Sequence, residues 1–265
     1  MWMFYENEDS IRKGLLPFRQ VVRYTVIMFK KEKKPFIKFV STVEGLENIP
    51  ECLPKLATKY IPEWFKNVPA NLDFLQTQTV RLCPSFPDLF SSAYVVPAWE
   101  DSVLRYNKEI DYWNASTGGI TNWSIHPNKQ MLDYVESSVL GNKAQIIFKS
   151  DCPWKVITPP GYSVLQLPMF YHFNKDWTAL PGIIDTDIYH EINQQILYHS
   201  DKDEVRIARG TPLAMYIPYK RSKFNFSTSF MTEEESKKFQ TLNMIFRGKL
   251  FTSGMYKNLQ KERDK

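Results

Sequence analysis

The groups in this chain that could do acid, base or metal chemistry lie mostly between Tyr162 and Glu191. The run Gly182-Ile183-Ile184-Asp185-Thr186-Asp187-Ile188-Tyr189-His190-Glu191 sets two carboxylates two residues apart at the end of an apolar stretch. Residue type alone makes Asp185 and Asp187 a turn-capping pair, because Asp side chains accept hydrogen bonds from nearby amides. His190 stands beside Glu191, but no His follows four residues later, so the zinc-binding HExxH spacing is absent. His172, Asn174 and Asp176 would share one face of a strand and are the best remaining metal arrangement. Asn174-Lys175-Asp176 is also turn chemistry, which would separate them, and no metal site is expected.

Other reactive patterns are missing. There is no GxSxG elbow, no P-loop and no GxGxxG. Cys83 or Cys152 would need a paired His to act as a nucleophile, so both are placed by default in core or turn. Trp154, Tyr162, Phe170, Tyr171, Phe173 and Trp177 could stack nucleic-acid bases. Only Lys155 and Lys175 lie among them, too few to track phosphates, and the cluster reads as a sheet core with an aromatic rim.

The elements that must position these groups are strands. From Pro153 to Arg221, three apolar strand-like runs each follow a turn: Pro159-Pro160-Gly161, Pro181-Gly182 and Arg209-Gly210. Earlier, Val21–Phe29 and Phe36–Val43 read as strands of a possible hairpin around the polar turn Lys30–Lys34. Leu53, Leu56 and Tyr60 follow helical spacing with Pro54 in the first turn, and Pro62 restarts a second short helix. There Trp64 and Phe65 either cover a sheet edge or offer a docking surface, with Trp64 as aromatic anchor. Thr79–Cys83 reads as a strand, Pro84–Asp88 as a turn before a brief helix, and Ala93–Val96 as a strand closed by Pro97. Leu104–Tyr106 and Ile110–Trp113 pair as a meander, Thr117-Gly118-Gly119 is a loop, and strands start near 123 and at Ala144–Phe148. Thr232-Glu233-Glu234-Glu235 is a capping box opening a helix over about 233–246, closed by Gly248.

The 265 residues include 18 Phe, 14 Tyr and 7 Trp, an aromatic share of 15% that suits pleated surfaces and contact faces. Seventeen prolines against ten glycines favour rigid turns and short elements. The formal charge of +5 sits partly in Lys30–Lys34 and in the tail after Lys249, and reads as solvated charge. Three scattered cysteines without a CxxC fit free thiols in a reducing compartment. No uncharged apolar run approaches the ~20 residues of a membrane helix, so a cytoplasmic or particle-assembled protein without membrane partners is expected. The reading is one β-rich domain: N-terminal hairpin and helical segment 1–70, β core 71–222, C-terminal helix and tail 223–265.

Gly182 to Tyr189 resembles the third motif of the trimeric dUTPase family: Gly, two apolar residues, Asp, any residue, Asp, Tyr. Pro160-Gly161-Tyr162 is similar to the turn before that family's second motif, and Gly210 to Ile217 to its fourth. The resemblance covers about 65 residues. It implies a distorted antiparallel β-barrel of β-clip type, Asp185 as the base that activates water, and Tyr189 as the ring packed on the sugar. By extension Asp187 joins the catalytic candidates, and Tyr162 and His190 the ligand-binding ones. The pattern departs at the second motif: Leu167-Pro168-Met169-Phe170-Tyr171 stands where Arg and Ser should meet phosphates. The first motif and the Gly-rich fifth motif are not present. The whole chain also resembles a family coded by tailed phages and some bacteria, through Ile61-Pro62-Glu63-Trp64, Cys83-Pro84, Pro153-Trp154 and the turns named above.

The expected function is therefore a phage-type binding or structural protein, acting through a protein partner or self-assembly, in the host cytoplasm or a virion. The alternative is a hydrolase of nucleotides or small ligands with Asp185 as general base. A weaker one is single-strand nucleic-acid binding. No cofactor is expected, with magnesium entering only for a nucleotide hydrolase.

Overall fold

The computed structural model describes residues 35–72, 77–107, 109–136 and 145–247. The chain divides into Met1–Phe36 and Ile37–Lys265, and the second unit is the subject below. The strand expected at Val21–Phe29, the turn at Lys30–Lys34 and the tail after Lys249 lie outside the described residues.

In chain order the strands are β1 (Lys38–Ser41), β2 (Lys55–Leu56), β3 (Asn71–Leu72), β4 (Thr77–Gln78), β5 (Tyr94–Pro97), β6 (Ser102–Asn107), β7 (Tyr112–Thr117) and β8 (Trp123–His126). They continue with β9 (Ile146–Ser150), β10 (Trp154–Ile157), β11 (Tyr162–Pro168), β12 (Trp177–Ala179), β13 (Gly182–Ile184), β14 (Gln194–Tyr198), β15 (Glu204–Ile207) and β16 (Pro212–Lys220). The α-helices are α1 (Glu63–Lys66), α2 (Ser85–Ser92) and α3 (Glu233–Arg247).

Among the described residues every strand pairing is antiparallel. The sheets run β13-β11-β16-β5-β2, β12-β14-β9-β8 and β15-β6-β7, with two-stranded pairs β1-β10 and β3-β4. The mainly-β reading holds, and so does the pairing of β6 with β7. The expected barrel is corrected: among the described residues no sheet closes on itself. Strands of two to nine residues, cut by turns and prolines, leave each sheet with its own edges. The first and third turn-led runs pair along their length, Tyr162↔Lys220 to Pro168↔Ala214. The second splits, β13 joining β11 while β14 joins the neighbouring sheet.

Burial follows the pleat. In β6 and β14 every other side chain is buried, the period-two signature of a strand with one face on the core. Leu213–Tyr216 of β16 are buried on both faces, matching a continuous apolar run. The main core gathers Trp99, Leu104, Phe148, Trp154, Val164, Ile196, Tyr198 and Tyr216. A smaller one packs Phe65, Phe86, Phe90, Val95 and Met215 around α2.

Three local expectations are corrected. The helix predicted from Pro54 is replaced by β2 between short 3-10 turns, Pro50–Cys52 and Ala57–Tyr60, because Lys55 and Leu56 pair with β5. Thr79–Cys83 is not a strand: the Thr79 hydroxyl accepts from the Arg81 amide at 3.2 Å and turns the chain into a 3-10 segment, Val80–Leu82. The turn at Pro84–Asp88 is the first half of α2. Pro84 sits at its N-cap and Pro87 within its first turn, where the missing N–H has no intrahelical acceptor. The capping box is present as expected, the Glu235 carboxylate accepting from the Thr232 amide at 2.8 Å and the Thr232 hydroxyl from the Glu235 amide at 3.2 Å.

Candidate functional site

Three strand ends converge beside the Pro159-Pro160-Gly161 turn. Gly161 adopts a left-handed φ of 82°, and the Tyr162 amide donates to the Pro159 carbonyl at 3.1 Å, closing the turn that starts β11. Register then fixes the neighbours. Val164 faces Ile184, so Asp185 lies one step past β13, next to Ser163. Tyr162 faces Lys220, so Arg221 lies one step past β16, its amide donating to the Gly161 carbonyl at 2.8 Å.

Arg221 ties this junction together. Its Nη1 and Nη2 donate to Oδ1 and Oδ2 of Asp187 at 2.9 and 2.5 Å, a bidentate pair. Nη1 also reaches Ser163 Oγ at 2.8 Å and Asp185 Oδ1 at 3.1 Å. Ser163, fully buried, donates its hydroxyl to Asp185 Oδ1 at 2.6 Å. The Gly161 amide donates to Asp187 Oδ2 at 2.8 Å. The Asp187 side chain is only 6% exposed, that of Asp185 52%. The hydrogen bonds from Arg221 are the chief cause that holds the Asp187 carboxyl down to about 2, with the Gly161 amide adding to it. The same bonds push the Arg221 guanidinium up.

The candidates take different roles. Asp187 locks the junction of β11, β13 and β16. Asp185, tethered by one oxygen, lines a cleft of about 500 Å³ together with Tyr189, Gln166, Glu191, Asn193 and Gln195. Among the described residues no Lys or Arg lines that cleft. Tyr189 is exposed there, its turn closed by the Tyr189 and Ile188 amides donating to the Asp185 carbonyl at 2.8 and 2.9 Å. His190 turns to the backbone, its Nδ1 donating to the carbonyls of Thr186 and Val156 at 2.9 and 3.2 Å. Tyr162 is half-buried and does not line the cleft. Lys155 bonds Glu191 across the cleft wall.

A second surface surrounds Trp64. Its indole Nε1 donates to the Tyr171 carbonyl at 2.7 Å and its ring lies 5.9 Å from Phe173. Tyr171 and Phe173 both hold positive φ, 67° and 50°, unusual for aromatic residues. Trp64, Phe170, Tyr171 and Phe173 are all exposed beside an apolar groove of about 480 Å³. Phe65 is not part of that surface. It is buried, stacked on Phe86 with centroids 3.7 Å apart, and carries the Arg81 guanidinium 5.4 Å above it.

His172, Asn174 and Asp176 do not come together. His172 Nε2 donates to the Tyr60 carbonyl at 2.8 Å, and burial pushes its imidazole pKa down. Asp176 accepts from Ser200 at 2.6 Å and Lys202 at 2.9 Å, and Asn174 caps the turn between them. Among the described residues no three His, Cys, Asp or Glu side chains form a metal-holding group, and no helix is long and apolar enough to cross a membrane. Arg221 and Ser163 are the site residues that sequence reasoning passed over. Only strand register brings them to Asp185.

No protein-family model matches the chain, and no curated protein matches it. Among solved structures it is similar to a mutant dUTPase of Staphylococcus bacteriophage 80alpha, with 11% identity, TM-score 0.36, and 75% of this chain and 98% of that one covered. It is similar also to the dUTPase from phage phi11 of S. aureus, with 12% identity, TM-score 0.29, and coverage of 54% and 84%. The EIAV dUTPase gives 12% identity, TM-score 0.30, and coverage of 53% and 87%. At these scores the likeness is a loose one, and no residue role is taken from it.

Proposed function

We propose that this chain acts by binding, as an assembly part, virion component or modulator of another protein, and does not turn over nucleotides. One observation carries the reading: among the described residues the cleft beside residues 182–190 is lined by the carboxylates of Asp185 and Glu191 and by no basic side chain, and Lys155, outside that lining, is already paired with Glu191. A triphosphate brings several negative charges that need charge-assisted donors, each worth roughly 1.5–3 kcal/mol. The nearest guanidinium, Arg221, is already held in bidentate fashion by Asp187. Asp185 lines the cleft as a further negative charge, one oxygen already taken by Ser163 and Arg221.

Magnesium does not mend this. Asp187 is committed to Arg221 and the Gly161 amide and Glu191 is paired with Lys155, so Asp185, with one oxygen on Ser163, has no second uncommitted carboxylate beside it to share an ion. The aromatic surface around Trp64 supplies contact area that a binding protein needs: Phe173 stands 70% exposed, while Tyr171 rests on Phe86.

A thermal-shift series with nucleoside triphosphates and magnesium tests the reading. The expected result is no change in Tm at millimolar nucleotide. A stabilisation of several degrees, lost in Asp185→Asn, would overturn it.

A further inference from the structure

Strand β12 stands at a sheet edge and is paired only with β14. Two flanking bonds fix which way its backbone points. The His199 amide donates to the Asp176 carbonyl at 3.0 Å, and the Leu180 amide to the Gln195 carbonyl at 2.8 Å. An antiparallel ladder bonds at every second residue of a strand. Asp176, Thr178 and Leu180 therefore face β14, while Trp177 and Ala179 turn their amides and carbonyls to the open side. The Trp177 amide agrees, donating to Asn174 Oδ1 at 3.2 Å. Among the described residues the Trp177 carbonyl and both backbone groups of Ala179 have no hydrogen-bond partner. Yet Trp177 and Ala179 are only 6% and 1% exposed. Buried main-chain groups are rarely left so, because an unpaired one costs about as much as a lost hydrogen bond.

Trp177, Ala179 and Asn174 all line the apolar groove of about 480 Å³. Its other walls include Met169, Phe170, Phe173 and Pro212, and among the described residues no Lys, Arg, Asp or Glu lines it. The loop 168–174 is fixed in advance. His172 Nε2 donates to the Tyr60 carbonyl at 2.8 Å, and Trp64 Nε1 to the Tyr171 carbonyl at 2.7 Å. Tyr171 and Phe173 keep positive φ within it. Backbone held in that region persists only where its surroundings over-determine it, ligand clamps among them.

We propose that this groove takes an extended, uncharged segment of a partner protein as an added strand on β12. Strand addition gives Ala179 and Trp177 the partners they lack, and pockets for alternate side chains give selectivity. The lining sets the segment's chemistry. The residue opposite Ala179 must offer both N–H and C=O, so it is not proline. The residue opposite Trp177 need only donate, since Asn174 already holds that amide. A charged side chain would be stripped of water here with no counter-charge in the lining. The face turned to the groove is therefore apolar or aromatic. β12 has three residues, so the ladder is short, and the exposed Trp64 and Phe173 rings extend the contact. The inference rests on the reading that the chain acts by binding, and gives the partner a backbone conformation and a charge.

The test is an array of capped octapeptides titrated into the full chain by fluorescence anisotropy, with amide exchange read at Ala179. One set alternates Thr with Val, Leu or Phe. Further sets carry Lys or Glu at the apolar positions, or are proline-rich. The alternating apolar peptides should bind and slow exchange at Ala179 by roughly tenfold. Charge on the apolar face should weaken binding by roughly tenfold, and proline-rich peptides should not bind. N-methylation of one alternate set of peptide amides should abolish binding, and of the other set should not. Ala179→Pro removes the donor at an edge position where Pro is tolerated, and should lose binding too. If that variant does not fold, the N-methylated peptides decide. No bound peptide, binding that survives methylation of either set, a preference for charged or proline-rich peptides, or a chain that self-associates with Ala179 already protected would overturn the proposal. Nucleotide turnover tests the binding reading separately: no turnover together with a silent array would sink this inference alone.

Discussion

Arg221 grips Asp187 with both guanidinium nitrogens, at 2.9 and 2.5 Å, while Nη1 also reaches Asp185 at 3.1 Å. One cation thus joins the ends of two strands to the turn that opens a third. The arrangement explains why Asp187 is sequestered and Asp185 is not, and it sets what disruption of each should do.

Replacing Arg221 by Met removes the bidentate pair and leaves Asp187 facing a near-buried junction with only the Gly161 amide. Tm should fall by roughly 2–4 °C for a chain of this size, read by calorimetry. Asp185→Asn, at an exposed carboxylate, should move Tm far less.

Acid dependence follows from the same pair. The Asp187 carboxyl is held down to about 2 in the folded chain, chiefly by its bonds from Arg221, against ~3.9 when unfolded. The stability it contributes is fully present above about pH 4 and is lost as pH falls from there toward 2. Wild type should therefore lose Tm over that window more steeply than Asp187→Asn. Parallel curves would remove the coupling.

Gly161 tests the backbone. Its φ of 82° lies in the left-handed region, and an added Cβ would meet nothing within 4 Å. Gly161→Ala should cost only the conformational term, about 1–2 kcal/mol, measured by urea unfolding with an unchanged m-value.

Tyr216 is fully buried, donating its hydroxyl to Gln166 Oε1 at 2.9 Å and accepting from the Gln194 side chain. Tyr216→Phe keeps the packing and strands both amides. It should destabilise by about 1–3 kcal/mol in the same urea experiment.

The thiols should separate in reactivity. Cys83 is exposed, whereas Cys152 is buried and burial pushes its thiol up to about 12. In native protein at pH 8 Cys83 should react quickly with a thiol reagent and Cys152 only on unfolding.

The strands that carry the site were legible because each is announced by a turn. Pro159-Pro160-Gly161 and Arg209-Gly210 force chain reversals, and the apolar runs after them have no other place than the core. The capping box at Thr232 was legible for the same local reason. Helix α2 was not: Pro84 and Pro87 read as turn residues, yet both fall where a helix lacks acceptors for their missing amides, and Phe86 and Phe90 pack its buried side. The site was only half legible. Asp185 and Asp187 are neighbours in sequence, but Ser163 and Arg221 reach them through the pairing of β11 with β13 and β16. Side-chain type does not disclose register. The split of roles between the two carboxylates depends on that register too.

The central claim is that this chain acts by binding and that the cleft beside Asp185 does not turn over nucleotides. Release of phosphate or pyrophosphate from a panel of nucleoside triphosphates with magnesium, measured for wild type and Asp185→Asn side by side, tests it most directly. The account predicts no turnover above the protein-free rate in either protein. Turnover by wild type that disappears in Asp185→Asn would contradict it.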